Sequence, residues 1–330
     1  MTIPRKRVLS GMQPSGLMHL GNHLGALENW KSLQDQYECY FFVADWHALS
    51  TNYADTSRIR EFSRELLIDW LAAGIDPKRS TLFIQSRIPE HAVLHLLFSM
   101  MTPISWLERN PTYKEKQEEI KEKDLSTYGF LGYPVLQAAD ILLYKPDFVP
   151  VGKDQLPHLE LTRELARRFN DIYKTQVFAE PKEHLTKFPK VMGTDGRKMS
   201  KSYGNTINLS DAEPVVRQKL KTMVTDPARV RRNDPGNPDI CPVYDFHKIY
   251  SPQSTQDQIN KDCRTATIGC IDCKKLVADR IVERMTPVWD ARGRLSKDSA
   301  YLNDIVTEGS NRAGEVAKAT LHDVNEAMKI

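Results

Sequence analysis

The sequence lacks a hydrophobic run long enough to cross a membrane. Its most apolar stretch, residues 93–101, is interrupted by His95, whereas a spanning helix needs about 20 apolar residues. Arg5, Lys6 and Arg7 near the N-terminus lead into a short strand-like segment, and no apolar region of a signal peptide follows them. We therefore expect a cytoplasmic protein without a membrane partner.

An excess of charge of one sign is also missing. The chain of 330 residues has 46 Lys and Arg against 43 Asp and Glu, a net charge of +3, and 40% of its residues are hydrophobic. This is the composition of an ordinary globular protein, so positive charge for nucleic-acid binding must be sought in local patches. The length predicts two domains.

Cysteine is scarce, and four of the five cysteines fall within one tenth of the chain. Cys39 stands alone in an apolar strand-like run, and the others follow the pattern Cys241-x21-Cys263-x6-Cys270-x2-Cys273. In a reducing cytoplasm, clustered thiols indicate a metal site before disulfides. One Cys-x2-Cys pair with two further thiols can supply four sulfur ligands to zinc or to an iron–sulfur cluster.

Short β-rich runs alternate with amphipathic helical segments over the first 180 residues. The predicted strands are residues 7–10, 39–44, 81–85 and 148–151, and helical segments include residues 56–73, 91–101 and 155–169. This alternation predicts an α/β fold with a doubly wound parallel sheet. Ligands of such sheets bind at the carboxyl ends of the strands, so the loops at 11–21, 44–50 and 151–155 should border one site.

The β pattern ends near residue 205. Helical segments follow at 211–223, 255–261, 273–290 and 311–328. We predict a catalytic α/β domain over residues 1–205 and a second, mostly helical domain over residues 206–330. A highly charged stretch at 114–123 predicts a flap insertion at about 106–125. A solvated helix face would explain the same charges equally well.

A glycine-rich segment, residues 11–21, follows the first strand and opens a helix. Gly11, Gly16 and Gly21 permit tight turns and close approach to a ligand, and the helix N-terminus favours an anion. The glycine spacing fits neither a Walker loop nor a dinucleotide fingerprint. Taken alone, this segment is explained equally well by a phosphate site and by an ordinary turn.

A second polar segment, residues 198–202, reads Lys-Met-Ser-Lys-Ser. Two ammonium groups on one loop can stabilise charge that moves from ATP phosphates to departing pyrophosphate. All five residues in this order make a random surface loop a poor explanation.

Together the two segments resemble a known family. His19-Leu-Gly-Asn22 resembles the HIGH motif of class I aminoacyl-tRNA synthetases, and residues 198–202 match their KMSKS loop. The resemblance covers nearly the whole chain and is closest to bacterial tryptophanyl-tRNA synthetases, through residues 10–16, 133–144 and 149–155. Asn22 replaces the last His of HIGH, as is common in tryptophanyl members, and its amide still donates a hydrogen bond.

The resemblance implies a Rossmann-like catalytic domain and a two-step reaction. The tryptophan carboxylate attacks the α-phosphate of ATP, and the resulting tryptophanyl-AMP then acylates the 3′ end of tRNA(Trp). Because the carboxylate is itself the nucleophile, the enzyme needs only positioning and charge stabilisation. No Ser/His/Asp or Cys/His constellation in the sequence contradicts this.

The family resemblance implies roles for individual residues of this chain, according to their positions in the matching motifs. The catalytic residues implied are Lys198, Ser200 and Lys201. ATP contacts are implied for Gln13, Pro14, Ser15, Gly21, Asn22, Gly152, Lys153, Asp154, Val191, Lys198, Met199, Ser200, Lys201 and Ser202, with Mg²⁺ sharing the phosphate charge. Tryptophan contacts are implied for Asp140, Tyr133, Gln155, Gln13 and His47. Lys114 and Lys116 are candidates to reach the phosphates from the flap.

Asp140 is the candidate for specificity, because it stands alone in an apolar helix. A buried carboxylate needs a partner, and the indole N–H is a suitable donor; a backbone N–H or an arginine would serve equally well. The tyrosyl branch shares the matching Asp, but there a Tyr of the first strand helps to hold the phenol, and here that position is Leu9. That branch also tends to carry Asp where Gln13 stands.

The resemblance also bears on the cysteines and on partners. Some bacterial members carry a similar cysteine grouping and bind a [4Fe–4S] cluster in the helical, anticodon-binding domain. We therefore rank [4Fe–4S] first, no metal second and zinc third for Cys241, Cys263, Cys270 and Cys273. The family forms homodimers, and a basic surface for tRNA is predicted from Lys219, Lys221, Arg229, Arg231, Arg232, Lys274 and Lys275.

Two other functions remain open from the sequence. A non-tRNA adenylate-forming ligase of the same superfamily shares both phosphate motifs but needs no anticodon domain. A non-catalytic RNA-binding paralogue would be free to lose Lys198, Ser200 and Lys201, which are intact here.

Overall fold

The structure is a computed structural model that describes residues 5–111, 113, 124–185 and 191–330, with the backbone but not the side chain of residue 153. Five parallel strands form one sheet in the order β3-β2-β1-β4-β5. The strands are β1 (Arg7–Met12), β2 (Glu38–Val43), β3 (Ser80–Ile84), β4 (Phe148–Val151) and β5 (Lys182–Leu185). The order reverses at β1, which lies between β2 and β4 and so marks the crevice where a doubly wound sheet binds its ligand.

Helices connect the strands and form the C-terminal part of the chain. They are α1 (Leu20–Asn22), which continues through a π-helical turn (His23–Leu27) into α2 (Glu28–Leu33), α3 (Asp45–Asn52), α4 (Ile59–Ala72), α5 (Glu90–Ser99), α6 (Ile104–Glu108), α7 (Tyr128–Leu143), α8 (Leu156–Tyr173), α9 (Glu213–Thr222), α10 (Pro242–Tyr250), α11 (Gln253–Arg264), α12 (Cys270–Leu295) and α13 (Ser299–Met328). Among these described residues, no helix is both long and apolar enough to pass through a bilayer.

The parallel sheet predicted from the sequence is confirmed. The four predicted strands are present with shifts of one or two residues at their ends, and helices cover both faces. The fifth strand was missed because β5 lies at the sheet edge and reads Lys-Glu-His-Leu, with mostly exposed side chains. An edge strand of this kind has no hydrophobic run to reveal it. The predicted flap at 106–125 lies largely outside the described residues, and so do Lys114 and Lys116.

Two hydrophobic layers pack on opposite faces of the sheet. Successive strand residues point to opposite sides, so Val8 and Phe41 belong to one layer, and Leu9, Tyr40 and Phe42 to the other. In the first layer the Trp30 ring stacks on Phe41 with centroids 4.3 Å apart. Buried residues of α9 to α12 join this first layer.

The last helix packs on both hydrophobic layers. Leu302, Ile305 and Val306 of α13 join the first layer with the other C-terminal helices, whereas Ala313, Ala317 and Val324 pack into the second layer. Gly309 lies so close to β3 that an added Cβ would meet the Leu82 carbonyl oxygen. The boundary at residue 205 itself stays a prediction.

Candidate active site

A cavity of about 300 Å³ opens at the carboxyl ends of β1, β2 and β4. Its position follows from the topology, because β1 is the strand at which the sheet order reverses. Residues from five stretches of the chain surround it. They are Leu9, Ser10, Gly11, Met12, Gln13, Ala26, Trp30, Phe42, Ala44, His47, Tyr133, Gln137, Asp140, Ile141, Val149, Pro150, Val151, Gly152 and Gln155.

The structure brings all five predicted tryptophan contacts to this cavity. Gln13 follows β1, His47 lies on α3, Tyr133 and Asp140 lie on α7, and Gln155 precedes α8. Segments that are far apart in the sequence thus converge on a pocket that combines apolar and polar side chains. This is the usual character of a small-molecule site.

Asp140 already has partners from the protein itself. Its Oδ2 lies 2.8 Å from His47 Nε2, its Oδ1 lies 2.7 Å from His91 Nδ1, and Gln85 Nε2 donates to both oxygens at 2.8 and 2.9 Å. Asp140 is only 1% exposed. Burial raises the pKa of Asp140, but the charge of His91 and the hydrogen bond and charge of His47 outweigh it and lower the pKa to about 2. The carboxylate is therefore ionised and held in place before any ligand arrives.

The sequence did not reveal Gln85 and His91 as partners of Asp140, and His47 was predicted to contact tryptophan instead. Gln85 follows β3 at the carboxyl edge of the sheet, so the rule that ligands sit at strand ends could have found it. His91 on α5 carries no such signal, because a buried histidine in an apolar helix is most often structural. Among the three partners of Asp140, His47 is the one that lines the cavity.

A second buried chain of hydrogen bonds supports Tyr133. Its hydroxyl lies 3.1 Å from His158 Nε2, and His158 Nδ1 lies 3.1 Å from Asn110 Nδ2. Burial raises the pKa of Tyr133 well above its ordinary value, so the hydroxyl stays protonated. Tyr133 thereby presents a rigid phenol edge to the cavity.

The helix that follows the glycine-rich segment begins with a reciprocal cap. His19 Nδ1 accepts a bond from the Asn22 backbone N–H at 3.3 Å, and Asn22 Oδ1 accepts one from the His19 N–H at 3.2 Å. Burial, followed by the charges of Lys201 and Lys198, lowers the pKa of His19 to about 4. His19 is thus neutral near pH 7, and its Nδ1 is free to act as the acceptor that the cap requires.

The lysine segment 198–202 lies directly over the glycine-rich segment. Lys201 Nζ donates to the Gly16 carbonyl oxygen at 2.9 Å, and burial lowers the pKa of Lys201 to about 8. Gly16 has φ +134°, a conformation that L-residues with a side chain rarely adopt. The two segments matched to the family therefore form one surface, with Lys201 and His19 facing it.

Asn205, which the sequence analysis missed, organises the lysine segment. Its Oδ1 accepts from the Ser200 N–H at 2.8 Å, and its Nδ2 donates to Asp195 Oδ1 at 2.6 Å and to the Lys198 carbonyl at 3.2 Å. Asn205 is 2% exposed. The hydroxyls of Ser200 and Ser202 lie 2.8 Å apart, so both are directed to the same part of the loop.

The remaining predicted ATP contacts are less uniform. Gly152 lines the cavity, Pro14 is buried, and Ser15 is exposed beside it. Asp154 is exposed and accepts from Gln155 Nε2 at 3.0 Å. The structure describes only the backbone of residue 153.

Val191 and Met199 belong to the core. Both side chains are buried, and the Met199 N–H donates to the Val191 carbonyl oxygen at 2.9 Å. Contact of these two residues with adenine stays a prediction.

The four clustered cysteines approach one another in the C-terminal part of the chain. Burial raises the pKa of Cys273 to about 12, and Cys241, Cys263 and Cys270 lie near enough to add to this effect. No three His, Cys, Asp or Glu side chains in the described part of the chain are grouped closely enough to hold a single metal ion. The described residues therefore show no metal site at the cysteines, and they support neither zinc nor the [4Fe–4S] cluster that was ranked first from the sequence.

Two nitrogen-bearing side chains lie against these cysteines. Arg229 Nη1 lies 3.7 Å from Cys263 Sγ, and His247 Nε2 lies 3.4 Å from Cys273 Sγ. Arg229 is buried, and in the described residues no carboxylate pairs with it and its Nε has no partner. Gly236 makes the close approach feasible, because a Cβ there would lie 2.6 Å from Cys263 Sγ.

Two residues of the predicted basic surface are engaged in contacts with other parts of the protein. Arg229 is buried against the cysteines, and its Nη2 donates to the carbonyl oxygens of Arg232 and Ile268 at 2.9 and 2.6 Å. Lys219 pairs with Asp211 at 2.5 Å. Both residues thus have partners within the fold, and their contact with tRNA phosphates stays a prediction.

Comparison with known proteins defines the class. The family model for class I tRNA synthetases specific for tryptophan and tyrosine matches residues 4–286. The tryptophan–tRNA ligase of Thermotoga maritima is 52% identical over 98% of this chain and 99% of its own length. That of Deinococcus radiodurans is 41% identical over 98% of both chains.

A solved structure agrees with this assignment. The tryptophanyl-tRNA synthetase of Campylobacter jejuni, crystallised with ADP and tryptophan, superposes with a TM-score of 0.90 at 30% identity, covering 98% of this chain and 100% of that one. The chain belongs to the tryptophanyl-tRNA synthetase family of class I aminoacyl-tRNA ligases.

Proposed function

We propose that the chain activates L-tryptophan with ATP to give tryptophanyl-AMP and pyrophosphate, and then transfers tryptophan to the 3′ end of tRNA(Trp). One observation carries the proposal: the cavity at the sheet crevice collects Gln13, His47, Tyr133, Asp140 and Gln155, the residues that the family resemblance assigns to tryptophan. The relatives' names support the same activity.

The phosphate chemistry is assigned to the surface where residues 198–202 lie over residues 11–21. Lys198, Ser200 and Lys201 stabilise the charge on the phosphates together with Mg²⁺, while His19, Gly21 and Asn22 at the helix N-terminus lie beneath them. Lys201 approaches Gly16 within hydrogen-bond distance, which supports this pairing. The attacking carboxylate comes from the substrate, so no protein nucleophile is needed.

Amino-acid selection is assigned to the cavity. The indole N–H binds Asp140 Oδ2, which His47 shares, and Tyr133, Gln155 and Gln13 hold the amino group. Leu9, which lines the cavity, offers no hydroxyl to a phenol and so disfavours tyrosine. An unpaired buried polar group on either side costs roughly 1–3 kcal/mol, which is enough to discriminate.

Pyrophosphate exchange and tRNA charging test this function. Asp140→Asn is expected to raise the KM for tryptophan at least tenfold and to leave the KM for ATP within about threefold. Asp69→Asn is the matched control, because Asp69 is equally buried at 1% exposure but pairs with Arg292 away from the cavity. An unchanged tryptophan KM in Asp140→Asn refutes the assignment, and absence of tRNA charging with intact exchange favours a non-tRNA ligase.

The four-cysteine group fits an anionic occupant. A buried arginine without a carboxylate is costly unless an anion compensates it, and thiolates bound to a [4Fe–4S] cluster supply that negative charge. N–H donors to the sulfurs, such as Arg229 and His247, are typical of such sites. Cys241, Cys263, Cys270 and Cys273 would hold the cluster, which would cross-link this region rigidly.

Iron and sulfide analysis after anaerobic purification tests the cluster. About four irons and four sulfides per chain with broad visible absorbance are expected, and Cys270→Ser should lose them. Cys39→Ser is the control, because Cys39 is buried in β2, apart from the group. Absence of iron and sulfide from the native chain removes the cluster.

We also propose a homodimer and a tRNA-reading role for the helices between residue 206 and α13. Val93, Leu96 and Met100 form an exposed apolar stripe on one face of α5 and the turn after it, with Ile104 and Tyr128 also exposed; a second copy of the chain would cover such a stripe. Sedimentation should give a dimer for the native chain and a monomer for Leu96→Glu. A monomeric native chain contradicts this part of the proposal.

A further inference from the structure

A chain of buried side chains extends behind Asp140, on the side away from the cavity. His91 Nδ1 lies 2.7 Å from Asp140 Oδ1, and His91 Nε2 lies 2.8 Å from the Tyr144 hydroxyl. His91 and Tyr144 are both 0% exposed. Asp140 lines the cavity, while the other two lie behind it. Neither His91 nor Tyr144 has a part in the function proposed above.

The hydrogen-bond geometry fixes where the protons are. An ionised carboxylate can only accept, so the proton of His91 is on Nδ1 and is donated to Asp140. Burial and then the Asp140 charge raise the pKa of Tyr144 well above its ordinary value, so its hydroxyl remains a donor. The Tyr144 hydroxyl lies within hydrogen-bond distance of His91 Nε2, so Tyr144 holds the His91 ring in the orientation that presents Nδ1 to Asp140.

Aromatic packing surrounds His91 in this arrangement. The His91 ring lies between aromatic rings, with centroids 6.0 Å from Phe42, 6.1 Å from Phe83 and 5.4 Å from Tyr144. Gln85 is oriented as well, because its Oε1 accepts from the Trp46 N–H at 3.2 Å while its Nε2 donates to Asp140. The carboxylate is thus fixed from behind by two elements.

The number of hydrogen bonds that Asp140 can accept shows the effect of holding its carboxylate in one orientation. Two carboxylate oxygens offer about four acceptor positions. Oδ1 is held by His91 and Gln85, both of which lie away from the cavity lining. Oδ2 shares the Gln85 amide and otherwise meets His47, which lines the cavity, so Oδ2 is the oxygen nearer to a ligand. Without His91, a carboxyl group this deeply buried would tend to take up a proton and rotate, and it would then no longer demand an N–H donor.

We propose that His91, held by Tyr144, is a positioning residue that keeps Asp140 as an ionised acceptor with Oδ2 towards the cavity, and thereby makes selection strict for a ring N–H. This inference rests on the proposed contact between Asp140 and the indole. Specificity would then be set partly by residues that never touch the substrate.

The test compares tryptophan with β-(benzothiophen-3-yl)alanine, in which sulfur replaces the indole N–H. In pyrophosphate exchange, His91→Leu is expected to raise the KM for tryptophan at least tenfold and to change kcat/KM for the analogue less than threefold. His91→Asn, whose amide can take the place of the Nδ1 donor, should restore most of the discrimination. The KM for ATP should stay unchanged in both variants.

Phe98→Leu controls for general damage to α5, because Phe98 is 0% exposed and packs against Phe169 and Phe178 instead of Asp140. It should affect both substrates equally. If His91→Leu does the same, or has no effect, the positioning role is refuted. If His91→Leu does not fold, Tyr144→Phe decides: a loss of discrimination of at least threefold supports the role, and unchanged discrimination refutes it.

Asp140→Asn, measured in parallel, distinguishes a failure of the proposed indole contact from a failure of the proposed role of His91. Discrimination that survives Asp140→Asn overturns the proposed indole contact. Discrimination that is lost in Asp140→Asn but kept in His91→Leu overturns only the role of His91.

Discussion

The ammonium group of Lys201 donates a hydrogen bond to the carbonyl oxygen of Gly16, at 2.9 Å, across 185 residues of sequence. An added Cβ on Gly16 would lie 3.2 Å from Lys201 Cδ, and Gly16 has φ +134°. The contact therefore depends on the absence of a side chain at Gly16 as much as on the lysine.

Gly16→Ala should damage catalysis more than folding. A residue with a side chain in this backbone region costs about 1–3 kcal/mol, and relief of that strain moves the loop away from Lys201. We expect the pyrophosphate-exchange rate to fall at least tenfold. Gly293→Ala is the control, because Gly293 is helical with open space around it; equal activity of the two variants would contradict the argument.

The pH dependence of ATP binding should follow Lys201. Burial lowers its pKa from 10.5 to about 8, so the lysine loses its charge as the pH rises through about 8. The KM for ATP should then increase about fivefold between pH 8 and pH 9. Lys201→Arg keeps its charge throughout and should give a flat profile, although at lower kcat.

Stability should change in the opposite direction over the same range. Between about pH 8 and the ordinary lysine value of 10.5, the unfolded chain binds more protons than the folded chain at this position, so unfolding becomes less favourable as the pH rises.

A KM for ATP that is constant to pH 9.5 in the native protein would show that the Lys201 charge is not used in ATP binding.

Local patterns in the sequence predicted the parallel sheet, and the family resemblance predicted some of the residues that line the cavity. Hydrophobic runs identified four strands, and the motifs located Gln13, Asp140 and Lys201 near the strand ends where ligands bind. The His91 partner of Asp140 was not predictable in this way. His91 reaches Asp140 through packing between α5 and α7, and no local pattern encodes such packing.

The contact of α13 with β3 was not predictable for a related reason. Its pattern showed a long helix after other helices, and proximity in sequence suggested proximity in space. The decisive feature is the small residue Gly309 beside the Leu82 backbone, which permits close packing on β3. A glycine within a helix does not reveal its packing partner.

Two substitutions of Asn22 should affect the stability of the α1 N-terminus and the binding of ATP differently. Asn22→Ala removes the acceptor for the His19 N–H and should lower the free energy of unfolding by about 1 kcal/mol. Asn22→Asp keeps an acceptor there but adds negative charge near the phosphates, so it should retain stability while raising the KM for ATP at least tenfold. Urea denaturation and pyrophosphate exchange measure the two effects. A similar loss of stability in both variants would contradict the role of the cap.

The packing of α13 against the sheet can be tested with two glycines of the same helix. In Gly309→Ala the new Cβ would overlap with the Leu82 backbone, so α13 must shift, at a cost of about 2–4 kcal/mol in the free energy of unfolding. Gly314→Ala meets nothing within 4 Å and should stabilise the chain by up to about 1 kcal/mol, because alanine is the better helix former.

Equilibrium urea unfolding of both variants gives the comparison. If α13 belonged to an independent C-terminal unit, Gly309→Ala would behave like Gly314→Ala, and the midpoint would rise or stay constant. If α13 is part of the core around β3, the whole transition of Gly309→Ala moves to lower urea. The effect should reach the active site as well, because α13 also contacts α5, which carries His91.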